Sequence, residues 1–152
     1  MAGALARTGL DPDALVLEVT ESSVMQNPEV SIPKLERIVA TGVRLSLDDF
    51  GEGYSSLSHI RHLPIQALKI ARPFIHELGE PDADPRLVRG IIELASSLEL
   101  ALVAEGIEQP GQRDALQSLG CRYGQGYLFS RPVELSVLRG VLRKQRLAAV
   151  AP

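Results

Sequence analysis

The chain has 152 residues, of which 45% are apolar and 23% charged, with a formal net charge of −3 and a pI near 5.6. That suffices for one domain with a real core and is too apolar for a disordered chain. The lack of a basic run argues against DNA or other non-specific nucleic-acid binding, the lone Cys121 excludes an internal disulfide or a CxxC metal site, and no apolar stretch is long enough to span a bilayer.

Residues 1–13 read as a short Ala-rich tail ending in Asp11-Pro12-Asp13. Nothing there resembles a signal peptide, so the cytoplasm is the expected compartment. Residues 14–19 are a mostly apolar run of strand length, expected to be buried on both faces, and end in Glu18, Thr20 and Glu21. Pro28 is expected in a loop. Ile32, Leu35, Ile38 and Val39 then recur with helical spacing up to a stop at Gly42.

Val43, Leu45 and Leu47 alternate with Arg44 and Ser46, which predicts a second strand. It runs into the adjacent carboxylates Asp48 and Asp49 and a tight turn at Phe50-Gly-Glu-Gly53. Two neighbouring acids at a strand end call for a neutralising divalent cation, unless they are simply a solvated turn. Ser55 is a candidate cap for the next helix, which carries Leu57, Ile60 and Leu63 and breaks at Pro64.

Residues 67–70 form a third short strand with Lys69 near its end, and Pro73 and residues 79–85 read as loop. Asp84-Pro85 reads as an N-cap with proline at the first helical position, opening a helix whose apolar face runs from Leu87 to Leu98. Residues 100–104 are a fourth strand running into Glu105-Gly-Ile-Glu108. A helix over 112–119 stops at Gly120, and residues 123–129, containing Gln125-Gly126-Tyr127, form a fifth strand. A closing helix over 134–147 ends with basic residues that complement its dipole.

Strands alternating with helices build parallel sheets. A five-stranded doubly wound sheet fits the length; the alternative is a partial (β/α)8 barrel of about five βα units, since a whole one needs about 250 residues. Glu18, Asp48, Asp49, Lys69, Glu105 and Gln125 all fall at or near C-terminal strand ends, the edge on which parallel α/β folds build their sites. Four carboxylates converging there repel one another unless they share cations.

Five segments, in this order and spacing, resemble the motifs of the EAL domain, the bacterial phosphodiesterase domain that hydrolyses cyclic di-GMP to linear pGpG. They are Glu18-Val-Thr-Glu21, Asp48-Asp-Phe-Gly-Glu-Gly-Tyr-Ser-Ser-Leu57, Leu68-Lys-Ile70, Val103-Ala-Glu-Gly-Ile-Glu108 and Gly124-Gln-Gly-Tyr-Leu-Phe129. The resemblance implies a (β/α)8 barrel, Mg²⁺ or Mn²⁺ as cofactor, and metal ligation by Glu18, Asp48 and Asp49. It implies that Lys69 contacts the attacking water and that Glu105 is a general base or a further metal-side acid. Glu21 is implied to fix the loop after the Asp pair, with Glu108 and Gln125 in supporting positions. In this sequence Tyr127 and Arg131 are further candidates for touching base or phosphate, as is Tyr54 for stacking on a base.

The chain departs from the family in lacking the Glu-Ala-Leu signature, in carrying Ala71 where the family has an acid two residues after the lysine, and in placing Glu52 between the two loop glycines. The expectation is therefore the C-terminal part of a single EAL domain over residues 1–152, weak or inactive alone. A homodimer and an upstream sensory or GGDEF-type domain are the expected partners. The alternative is a non-catalytic module that binds cyclic di-GMP or another protein. His59 and His62 read as surface residues, His76 as loop, and Cys121 as a small buried residue.

Overall fold

The computed structural model describes residues 2–53, 57–80 and 82–148. Helix α1 (Ala2–Thr8) and a 3-10 turn (Pro12–Ala14) lead into strand β1 (Val16–Thr20). Then follow α2 (Glu21–Met25), α3 (Pro28–Val39), β2 (Arg44–Phe50), α4 (Leu57–Ile60), β3 (Ala67–Ile70), α5 (Arg72–His76) and α6 (Arg86–Ser97). Strand β4 (Ala101–Ala104), α7 (Pro110–Ser118), the two-residue β5 (Tyr123–Gly124) and α8 (Leu135–Ala148) complete the chain.

All four strand pairings are parallel and the sheet order is β1-β2-β3-β4-β5, the order in sequence. This order decides between the two architectures. Right-handed crossovers that always step the same way put every connecting helix on one face. A doubly wound sheet instead reverses direction at a switch point. The sheet is singly wound, as in a (β/α)8 barrel.

The register shows the two faces. Leu17 lies beside Leu45; Val19, Leu47, Leu68 and Leu102 form one row across four strands; and Ile70 lies beside Ala104. These side chains form the core with Val24, Leu35, Ile75, Val88, Ile91 and Leu116 from the helices. The alternate positions, among them Val16, Glu18, Ser46, Lys69, Val103 and Tyr123, face the other way. Val16 and Tyr123 on that face are exposed. The first strand is therefore covered on one side only, where its apolar run suggested two.

Other differences have local causes. Pro28 is not in a loop: it takes the first turn of α3, where its missing N–H costs nothing. Pro73 does the same in α5, and Asp84 lies one residue before the cap position, its carboxylate accepting from Arg86 N. The N-terminal tail is largely helical. The fifth strand stops at Gly124 because the chain turns at residues 126–129, where Phe129 N donates to Gly126 O. The proposed Ser55 cap and Tyr54 lie outside the described residues.

Gly79 shows how closely the elements approach. It has φ +96°, and a Cβ there would come 2.8 Å from the Gly111 carbonyl carbon and 2.9 Å from Gln112 N at the start of α7. Gly79→Ala combines left-handed strain with a backbone clash. We expect a loss of about 2 kcal/mol, read as a lower urea midpoint with an unchanged slope. An unaltered midpoint would show that the two backbones separate freely.

Candidate functional site

The site begins with an irregularity in β2. Leu47 pairs with Leu68 and Phe50 with Ile70, so two residues, Asp48 and Asp49, oppose the single residue Lys69. This is a β-bulge, and Asp49 adopts φ 53° to make it. In a regular strand consecutive side chains point to opposite faces. The bulge lets carboxylate oxygens of Asp48, Asp49 and Glu105 lie within 4.8 Å of one another. Aspartate suits this position because its short polar side chain tolerates the left-handed region better than most.

Lys69 sits opposite the bulge. Its Nζ lies 2.7 Å from Glu18 Oε1, 3.1 Å from Asp48 Oδ1 and 2.5 Å from Glu105 Oε1, with the lysine side chain 6% exposed. Burial pulls the Lys69 pKa down, but the hydrogen bonds from the three carboxylates outweigh it and hold the ammonium well above its usual value. Burial raises the Glu105 pKa above the usual carboxylate range; Lys69 opposes this shift, while the charges of Asp48 and Glu18 add to it. Gln125 Nε2 donates to the same Glu105 oxygen at 2.7 Å.

Glu21, only 2% exposed, reaches across to the loop after the bulge: its Oε2 accepts from Gly51 N at 2.8 Å. Gly53 leaves room for this carboxylate, since a Cβ there would lie 2.6 Å from Glu21 Oε1 and push it aside. On the other side, Ile107 N donates to Gln125 O, and a Cβ on Gly126 would fall 2.1 Å from Ile107 O. The segment carrying Glu105 and Glu108 is thus pressed against the turn after β5.

Beside Glu105 opens a pocket of ≈ 580 Å³. Its walls include Arg72, Glu108, Gln125, Tyr127, Arg131 and Leu138. Arg72 Nη2 donates to Glu108 Oε1 at 2.8 Å, and the Arg131 guanidinium lies over the Tyr127 ring, 4.6 Å from its centroid. The size suits a small ligand with both polar and aromatic parts.

The structure thus gathers Glu18, Asp48, Asp49, Lys69, Glu105 and Gln125 at one strand edge, with Glu108, Tyr127 and Arg131 around the adjoining pocket. Glu18 is half exposed and turned to Lys69, while Glu105 joins the two aspartates. Arg72 and Gln112 were not singled out from sequence. A basic residue after a strand reads as solvated, but Gln112 follows Gln109 at capping-box spacing, a signal that was available. Ala71, fully buried, is the N-cap of α5 and offers no side-chain cap. His59 is exposed, as is His62, whose Nδ1 lies 2.7 Å from Ser58 O. Cys121 is buried, with its Sγ against Tyr123 O, and His76 ends α5.

The donor set fits a hard divalent cation. It is all oxygen and compact, and among the described residues its only neutralising partner is Lys69.

Comparison with known proteins gives a consistent answer. The chain is 46% identical over 149 residues to "Cyclic di-GMP phosphodiesterase NbdA" of Pseudomonas aeruginosa, covering 98% of this chain and 19% of that protein. Its structure superposes on the EAL domain of Mycobacterium smegmatis DcpA with a TM-score of 0.87 at 40% identity, covering 94% of this chain and 64% of that one. It also matches the PaMucR phosphodiesterase in complex with c-di-GMP, with a TM-score of 0.84, 45% identity, and coverage of 90% and 55%. The chain therefore spans well under the full length of these relatives. The EAL domain model matches residues 1–132, and the chain belongs to the EAL domain family.

Proposed function

We propose that this site is a metal-dependent phosphodiesterase centre that opens cyclic di-GMP to linear pGpG. The observation that carries the reading is the lysine-centred cluster of carboxylates on the strand edge, beside a pocket sized for a nucleotide base. Mg²⁺ or Mn²⁺ would be held by Asp48, Asp49 and Glu105, with Glu18 close by. When bound, such an ion supplies an acidified water and a charge for the phosphate oxygens.

The chain's own groups do the rest. Lys69 presents a permanent positive charge where negative charge develops on the phosphoryl oxygens. Glu105, its basicity raised by burial, is suited to take a proton from a water beside the acid pair. Gln125 fixes which Glu105 oxygen faces the cluster. Glu21 holds the loop after the Asp pair closed through Gly51. Arg72, Glu108, Arg131 and Tyr127 offer donors, an acceptor and a stacking face to the nucleotide. This reading includes a cytoplasmic protein with an upstream sensory or GGDEF-type domain.

The buried, apolar Ala71 favours a second reading, a module that binds the nucleotide but turns it over weakly or not at all. Exposed Val16 and Tyr123 on the open sheet face, with Leu135, Val137, Val141 and Leu142 on α8, support self-association as part of either reading.

Three measurements check these points. Calorimetric titration with Mn²⁺ should show Asp48→Asn binding at least about tenfold more weakly than the wild type, since even outer partners of metal ligands cost that much; equal affinities would remove the metal site. Lys69→Met should destabilise the metal-free protein at pH 8 by about 2 kcal/mol, below the range for fully buried pairs because Glu18 is half exposed. The sign with pH follows from the acids. Lys69 stays charged throughout the range, whereas Glu105, whose pKa burial raises, takes up a proton as pH falls. The repulsion left in Lys69→Met therefore fades, and its melting deficit should shrink between pH 8 and pH 5. A constant deficit would mean the lysine acts through packing alone. Sedimentation over a concentration series should show association; a concentration-independent monomer would contradict it.

A further inference from the structure

The loop after β4 carries Glu105, which reaches the acid cluster, and Glu108, which lines the pocket. Its backbone amides have to be satisfied somewhere, because a buried N–H without a partner is costly. Glu105 N goes to Ile70 O and Ile107 N to Gln125 O. The next two amides converge on one side chain. Gln112 Oε1 accepts from Glu108 N at 2.8 Å and from Gln109 N at 3.0 Å. Gln112 is itself only 2% exposed.

The other end of that amide looks away from the loop. Gln112 Nε2 donates to His76 O, the last carbonyl of α5, at 3.2 Å. The close approach of Gly79 to Gly111 and Gln112 N brings α7 near enough for this reach. At its other end α5 begins with Arg72, whose guanidinium holds the Glu108 carboxylate and whose stem lies where a Cβ on Gly106 would be, 2.4 Å away. Helix α5 and the Glu105 loop are thus joined at both ends of the helix, once through Arg72 and once through Gln112.

We propose that Gln112 is a positioning residue for the site: its side-chain oxygen sets the height of the Glu105–Glu108 loop over the pocket. It touches neither the acid cluster nor the pocket. The proposal rests on the reading of the site as a cyclic dinucleotide centre and adds a residue to it. The two halves of the amide do different work. The oxygen holds the loop; the nitrogen ties α7 to α5 and serves stability. Substitution separates them. Gln112→Glu keeps the acceptor and replaces the donor by a group that repels His76 O. Gln112→Leu keeps the approximate volume and removes both.

The test uses the full chain and two probes, Mn²⁺ alone and cyclic di-GMP in the presence of Mn²⁺, each titrated well below the melting transition of each variant. Both variants should melt lower than the wild type. Gln112→Leu should lose about tenfold in affinity for cyclic di-GMP, the scale seen when partners of site residues are removed. Gln112→Glu should keep its affinity within about threefold despite its lower melting temperature, the smaller part of a tenfold or 1.4 kcal/mol step. That uncoupling of binding from stability is the result a merely structural role cannot give. Wild-type affinity in Gln112→Leu, or losses in both variants that track their melting temperatures, would overturn the proposal. If the wild type itself binds no cyclic di-GMP, the reading of the site fails, which is a different outcome from failure of the positioning role.

Discussion

One ammonium group organises this structure. Lys69 Nζ is in contact with Glu18 from β1, Asp48 from β2 and Glu105 after β4, so a single cation is shared by three other strands or their ends. Without it the carboxylates would repel one another at the sheet edge. With it they converge, and still retain more negative charge than one lysine cancels. A parallel sheet brings strand ends together whatever residues they carry. The lysine makes it tolerable for those ends to be acidic, and the remaining charge makes the site attractive to a divalent cation.

Much of this was legible in the sequence because the signal is coarse. An apolar run that stops on a charged residue marks a strand end, and Glu18, Asp48, Lys69 and Glu105 each follow such a run. The sheet order was not legible. Both architectures predict the same alternation of strands and helices, and only the direction of each crossover separates them. The extent of the fifth strand was also hidden. Residues 123–129 have strand-like composition, but Gly126 is needed against the Ile107 backbone, and that contact turns the chain.

Gln112 and Arg72 show a second limit. Glutamine and arginine near helix starts normally point to water; the capping-box spacing to Gln109 is the one local mark on Gln112, and Arg72 carries none. Each also has a partner 36 residues away, Glu108 for Arg72 and the His76 carbonyl for Gln112. Burial created by distant segments converts an ordinary polar side chain into a strut. The same holds for Glu21, whose acid is buried because a loop 30 residues later closes over it.

The bulge in β2 reaches further than the pair of aspartates it serves. A strand alternates its faces strictly, so one additional residue reverses parity for everything after it. Before the bulge, odd-numbered Leu45 and Leu47 enter the core; after it, even-numbered Phe50 does. Counting without the extra residue would turn Phe50 toward the acid cluster and carry the Gly51 amide away from Glu21. The aspartate pair is therefore also a phase shift in the chain. It fixes where the next apolar side chain is buried and which way the following loop sets out.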